Sequence, residues 1–222
     1  MPYHCILCKG LSKRTQDLCE LCYHDLPVLD YACPQCANPL TETHLCGQCL
    51  AQEPPFSHTY ALFRYQEPIS RMILNLKFQE ALVNARILGE LLTEKIINTW
   101  YRDKSLPKII IPVPLHSVRL QQRGFNQALE IARPIARTLQ IPLDVSSCRR
   151  SLATDPQATL HPSERKQNIK NAFQLLKPIP YQHIAVIDDV ITTGHTINEF
   201  CRMLKKSGVR QIDVWCCARA IR

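Results

Sequence analysis

Long apolar runs are missing from this 222-residue sequence. None approaches the ~18 apolar residues of a membrane-spanning helix, so no span is expected. Met1 to Gly10 has no extended apolar stretch and already carries a Cys-x-x-Cys, so no secretory signal is expected either. Aromatic residues make up only 7% of the chain, which leaves little for a base-stacking surface. Hydrophobic residues at 45% and charged residues at 21% exclude an extended disordered chain and fit a globular one. The length suits one ordinary domain plus a small appendage.

Cysteine is abundant, and it divides the chain. Of 12 cysteines, eight fall before residue 50, in the pairs Cys5/Cys8, Cys19/Cys22, Cys33/Cys36 and Cys46/Cys49. A segment of ~50 residues seldom buries enough core to fold without disulfides or metal. With no signal expected, the reducing cytoplasm is the expected compartment, where clustered cysteines read as metal ligands. A single such pair could be a redox couple, but four in close succession point to zinc.

The segments CILCKGLSKRTQDLCELC and CPQCANPLTETHLCGQC form an internal repeat, each with two pairs and a leucine before the second. Each half can close one tetrahedral structural site. Two zinc ions are expected, the first on Cys5, Cys8, Cys19 and Cys22, the second on Cys33, Cys36, Cys46 and Cys49. A crossed pairing is the alternative that the spacing leaves open. His4, His24 and His44 read as bystanders, because cysteines already fill both sites.

The expected organisation is a double zinc ribbon over 1–52, a linker over 53–59 stiffened by Pro54-Pro55, and a larger domain over 60–222. Net charge is +8, and residues 1–52 hold three Lys/Arg against five Asp/Glu. The basic surplus therefore belongs to the larger domain, where it suits an anionic ligand such as phosphate or nucleic acid.

In the larger domain, apolar patterning alternates between strand and helix. Strands are expected over 60–65, 108–114, 184–187 and 213–218. Helices are expected over 69–78, 88–100, 126–139 (kinked at Pro134) and 196–206. Repeated strand–helix units imply an α/β domain with a mostly parallel sheet and a ligand site beyond the carboxyl ends of its strands. Cys148, Cys201, Cys216 and Cys217 read as small buried hydrophobes.

The stretch that carries chemistry is IAVIDDVITTGHT, residues 184–196. An apolar strand runs into two carboxylates, then a short hydroxyl-rich turn, then a helix. Asp188 and Asp189 are good acceptors for sugar hydroxyls or for the waters of a metal. Gly194 permits a tight turn, while Thr192, Thr193, Thr196 and the helix start offer donors to a phosphate. The plainer alternative is an ordinary strand–helix turn with a capped helix.

These thirteen residues resemble the phosphoribosyl pyrophosphate (PRPP) motif of type I phosphoribosyltransferases. Other segments extend the resemblance to the ComF family, bacterial competence proteins and their GntX-like relatives: LKF at 76–78, IIPVPLHSVRLQQRGFNQA at 110–128, and RRSLATDPQATLHPSERKQNIKNAF at 149–173.

The resemblance implies a type I phosphoribosyltransferase fold behind the zinc ribbons. It implies that Asp188 and Asp189 hold the ribose hydroxyls and that Val190 to Thr196, His195 included, wrap the 5′-phosphate. His195 departs from the small residue usual at its position. Lys77, His116, Arg119 and Arg123 are the expected diphosphate contacts, Arg123 with the two acids forming the catalytic candidates, and Mg²⁺ is expected to accompany PRPP. The 149–173 stretch resembles a loop over the site, with Arg150, Gln157 and Arg165 as further candidates and a possible helix over 163–169.

Two functions follow from the resemblance. One is a competence factor that handles incoming single-stranded DNA, partnered by competence-machinery proteins, with Phe125 and Tyr181 as stacking candidates. The other is an active phosphoribosyltransferase of nucleotide or cofactor metabolism, although no base-recognition element is legible. A zinc-ribbon adaptor with a vestigial PRPP site is a third, plainer alternative.

Overall fold

The computed structural model describes residues 3–151 and 171–220. Gln157, Arg165 and the possible helix over 163–169 lie outside the described residues.

The cysteine-rich part is mostly turns. Two short strands, β1 (Tyr3–His4) and β2 (Leu11–Ser12), pair antiparallel, and helices α1 (Glu20–His24) and α2 (Gly47–Ala51) each begin beside a cysteine pair. This part is not held at arm's length. Cys5, Leu18 and Leu26 share one continuous hydrophobic core with the larger domain. Residues 27–29 also run along the first strand of the main sheet, β3 (His58–Arg64). Leu29 N donates to Leu62 O at 3.0 Å, and Arg64 N donates to Pro27 O at 2.8 Å. The contact covers what would otherwise be an open sheet edge.

β3 begins two residues before the expected strand start at Tyr60, because His58 and Thr59 already pair with the last strand. Then follow α3 (Ile69–Phe78) and α4 (Leu82–Lys95), a π-helical turn (Ile96–Trp100), β4 (Ile110–Pro112), α5 (Ser117–Arg123) and α6 (Gln127–Leu139). A two-stranded antiparallel ribbon, β5 (Cys148–Arg150) with β6 (Phe173–Leu175), flanks the stretch left undescribed. The chain closes with β7 (His183–Ile191), α7 (His195–Lys206) and β8 (Gln211–Arg219).

The central sheet has the order β3-β8-β7-β4, all parallel, as the alternation of elements requires. Its strands are buried on both faces. Ala185 and Ile187 turn to the side packed by α3, α4 and α6. Ile184 and Val186 turn to the side packed by α7, through Ile197, Phe200, Cys201 and Leu204. Cys148, Cys201, Cys216 and Cys217 are all buried.

Two expectations change in detail. The second helix starts at Leu82 rather than Leu88. Its first turns carry Asn84 and Arg86, which interrupt the apolar stripe. Asn84 is nevertheless buried, donating to Met72 O at 2.9 Å. Residues 117–123, outside every strand and helix expected from the sequence, form α5, a helix with no buried residue and hence no periodic signal to read. α6 stays helical through Pro134, whose ring lies against Gly89 of α4. A Cβ at Gly89 would come within 2.5 Å of both Ile131 O and Pro134 Cγ, so glycine allows this close helix crossing.

Candidate functional site

β7 continues past the expected Ile187 to Ile191, because its ladder to β8 persists through Asp188↔Cys216 and Val190↔Ala218. The two acids therefore sit on the carboxyl end of a strand, and neighbouring strand residues face opposite sides. Asp189 faces the side of α3, where its Oδ2 lies 2.6 Å from Lys77 Nζ. Each acid also accepts from the amide that follows it: Asp189 N donates to Asp188 Oδ1 at 2.9 Å, and Val190 N to Asp189 Oδ1 at 2.8 Å.

Gly194 ends the turn with φ 77°, in the left-handed region, and α7 begins at the next residue. The acids and the turn line one cleft of about 210 Å³. Its walls include Lys77, Arg119, Arg123, Arg150, Asp188, Asp189 and all of Val190 to Ile197.

The charges in this cleft are held under tension. Burial first, and then the charge of Asp189, push the Asp188 carboxyl up to about 7, while Lys77 and Arg150 pull it the other way. Burial and the nearby Arg119 hold the guanidinium groups of Arg123 and Arg150 below their ordinary value. Four cationic side chains thus share the cleft with two carboxylates, an excess that a multiply charged anion neutralises.

Supporting residues fix this geometry. Arg123 donates to the buried Gln127 at 2.9 Å. Asn126 caps α6 by accepting from Ala128 N at 3.0 Å and donates to Val113 O at 3.0 Å, which ties the loop after β4 to the helix start.

Lys77, Arg119, Arg123, Asp188, Asp189, Thr192, Thr193, Gly194, His195 and Thr196 all come together here. His116 does not line the cleft; its ring caps α5, accepting from Val118 N at 3.3 Å. Phe125 is half-buried against the main core and Tyr181 against the α7 side, so neither is a fully open stacking platform. Arg219 was missed. This buried arginine at the end of β8 donates through Nη1 to Ile191 O at 2.9 Å and to Thr192 O. A cation at the end of an apolar strand was its one legible mark.

The cysteines form two sequential sets, Cys5/Cys8/Cys19/Cys22 and Cys33/Cys36/Cys46/Cys49, with the sulfurs of each set within 4.8 Å of one another. Cys8 and Cys19 Sγ, like Cys36 and Cys46 Sγ, are 3.6 Å apart. Four sulfurs at ~2.3 Å from a tetrahedral zinc lie ~3.8 Å apart, so both sets fit the ion. The crossed pairing falls away. With all four ligands from protein, each site is closed and structural.

Known proteins match the chain along its length. Residues 1–50 match the double zinc ribbon domain, and residues 126–221 match the phosphoribosyl transferase domain. Competence protein F of Haemophilus influenzae is 38% identical, over 98% of this chain and 97% of that protein. The chain belongs to the ComF family. DNA utilization protein YhgH of Escherichia coli (strain K12) is 34% identical over 100% of this chain and 99% of its own length. Competence protein ComFC of Bacillus subtilis (strain 168) is 24% identical over 89% of this chain and 82% of its own. The α/β domain is accordingly a phosphoribosyltransferase-type fold preceded by zinc ribbons. No helix among the described residues is long and apolar enough to cross a membrane.

Proposed function

We propose that the cleft binds PRPP, or a closely related phosphorylated ribose, and that the protein handles incoming single-stranded DNA in the cytoplasm during natural transformation. The observation that carries the first part is the meeting of Asp188, Asp189 and the Thr192–Thr196 turn in one cation-rich cleft. In this reading the two carboxylates accept from the ribose hydroxyls, and the turn with the start of α7 donates to the 5′-phosphate. Lys77, Arg119, Arg123 and Arg150 hold the diphosphate. Mg²⁺, when bound with the ligand, supplies further neutralisation of that diphosphate. The second part is supported by the names of the relatives and by the basic surplus outside residues 1–52.

Calorimetric titration with PRPP and Mg²⁺ tests the site. Asp188→Asn should weaken binding roughly 10–100-fold, the range for losing charge-assisted hydrogen bonds. Equal binding by both proteins contradicts the carboxylate assignment. Single-stranded DNA binding, followed by mobility shift, should weaken by about tenfold or more between 50 and 200 mM salt, because the grip is electrostatic.

A second reading, transfer of the phosphoribosyl group to an acceptor, is favoured by the four cationic side chains that line the cleft beside the two acids. The positions of Arg119, Arg123 and Lys77 suit stabilising a departing diphosphate. Pyrophosphate release across a panel of bases and amines separates this reading from binding alone.

A further inference from the structure

The repeated cysteine sets look interchangeable in sequence, but they are fastened to different parts of the domain. The first set is tied to α4. Cys5 and Leu18 belong to the core on the α3, α4 and α6 side of the sheet, which includes Ile87 and Leu91 of α4. Asp17 pairs with Arg86, and Arg14 reaches Glu94 at 3.5 Å. The second set is tied to the turn that follows β7. Arg219, only 3% exposed, donates through Nε to Cys36 O at 3.1 Å. Its Nη1 donates to Ile191 O at 2.9 Å, to Thr192 O and to Ala220 O at 3.0 Å. Ala37, the residue after Cys36, is 1% exposed and packs in the same core as Ile191 and Ile197.

The turn carrying Cys36 is itself rigid. Ala37 N donates to Cys33 O at 2.8 Å and Cys33 N to Asn38 O at 2.9 Å, while Cys33 and Cys36 supply two of the four sulfurs of the second set. A guanidinium is a planar fork with fixed donor directions. One side of this fork holds the carbonyl of a metal ligand, and the other holds the carbonyls of Ile191 and Thr192.

A trans peptide is planar, with its C=O and N–H pointing in opposite directions. Pinning the Ile191 and Thr192 carbonyls toward Arg219 therefore turns the amides of Thr192 and Thr193 the other way. Both threonines line the cleft.

We infer that the second zinc site braces the anion-binding turn through Arg219, which is a positioning residue for the phosphate, whereas the first zinc site serves only to hold α4. This inference deepens the PRPP reading and rests on it for the identity of the ligand, but the brace itself is testable without that ligand.

The experiment uses the full-length, zinc-loaded protein and three variants: Cys49→Ala in the second site, Cys19→Ala in the first, and Arg219→Met. Zinc content, affinity for PRPP with Mg²⁺, and amide hydrogen exchange over residues 190–196 are measured on each. Cys49→Ala should keep one zinc, lose about tenfold or more in affinity and exchange faster at Thr192 and Thr193, as expected when one or two aligned amides are lost. Arg219→Met should keep both zincs and show the same two losses. Cys19→Ala should keep one zinc and change affinity by less than about threefold.

Equal losses from Cys19→Ala and Cys49→Ala, or wild-type exchange at Thr192 and Thr193 in Cys49→Ala, overturn the inference. Should Arg219→Met fail to fold, the two cysteine variants decide alone. If wild-type protein does not bind PRPP, the ligand reading fails, and the exchange data still judge the brace.

Discussion

Two acids lie in adjacent strands of the same sheet at opposite ends, and the protein treats them differently. Asp213, near the amino end of β8, is 1% exposed and surrounded by partners. The Tyr101 hydroxyl donates to its Oδ2 at 2.6 Å, His183 Nε2 lies 2.7 Å from the same oxygen, and His58 Nδ1 lies 3.2 Å from Oδ1. Trp215 Nε1 in turn donates to the Tyr101 hydroxyl at 3.2 Å. Asp188, near the carboxyl end of β7, meets a second acid beside it and a cluster of cations across a cleft, and its carboxyl is pushed up to about 7. At one end the protein completes the carboxylate's shell from its own side chains. At the other it leaves the charges mismatched, as sites awaiting a ligand commonly are. We assign Asp213 to stability and, in the proposed reading of the cleft, Asp188 to binding.

The largest effect should come from breaking the satisfied end. Asp213→Ala removes the shared acceptor of Tyr101, His183 and His58, and should destabilise the fold by about 3–5 kcal/mol. Thermal or urea unfolding measures this. Affinity for PRPP should stay within about twofold in whatever fraction remains folded.

A smaller change of opposite sign is expected at the other end. Asp188→Asn removes a poorly solvated charge and should stabilise the unliganded protein by roughly 1–3 kcal/mol, allowing for the carboxyl's partial exposure to the cleft. A destabilised Asp188→Asn would erase the contrast.

The smallest effect is with pH. Asp188 holds its proton more tightly folded, up to about 7, than at its ordinary value of 3.8. Its contribution to stability is therefore complete below pH ~4 and is lost as pH rises toward ~7. Ligand affinity should move the opposite way over that window, because the ionised acid is the better acceptor for sugar hydroxyls. Unfolding and titration series between pH 4 and 8, each repeated with Asp188→Asn, isolate the residue.

Residues close together in the chain were the legible part. The cysteine pairs, the strand–turn–helix of 184–196 and the parallel α/β alternation all depend on local spacing. Lys77 was placed by resemblance, but its pairing with Asp189 depends on how α3 packs over β7, which no local pattern encodes. Arg150, a further candidate from the 149–173 stretch, lines the cleft because β5 carries it there. His116 was read as a diphosphate contact, whereas its place as the cap of α5 requires knowing that a helix starts there. Arg219, to which we assign a positioning role, is illegible in the sequence because its partners are backbone carbonyls, which any sequence can supply.

The most direct measurement is one paired comparison: Asp188→Asn and Asp213→Asn, each subjected to thermal unfolding and to calorimetric titration with PRPP and Mg²⁺. The account predicts that Asp188→Asn melts higher than wild type and binds at least about tenfold more weakly, while Asp213→Asn melts lower and binds as wild type does. Asp188→Asn binding at wild-type strength, or Asp213→Asn losing affinity while still folded, would contradict it.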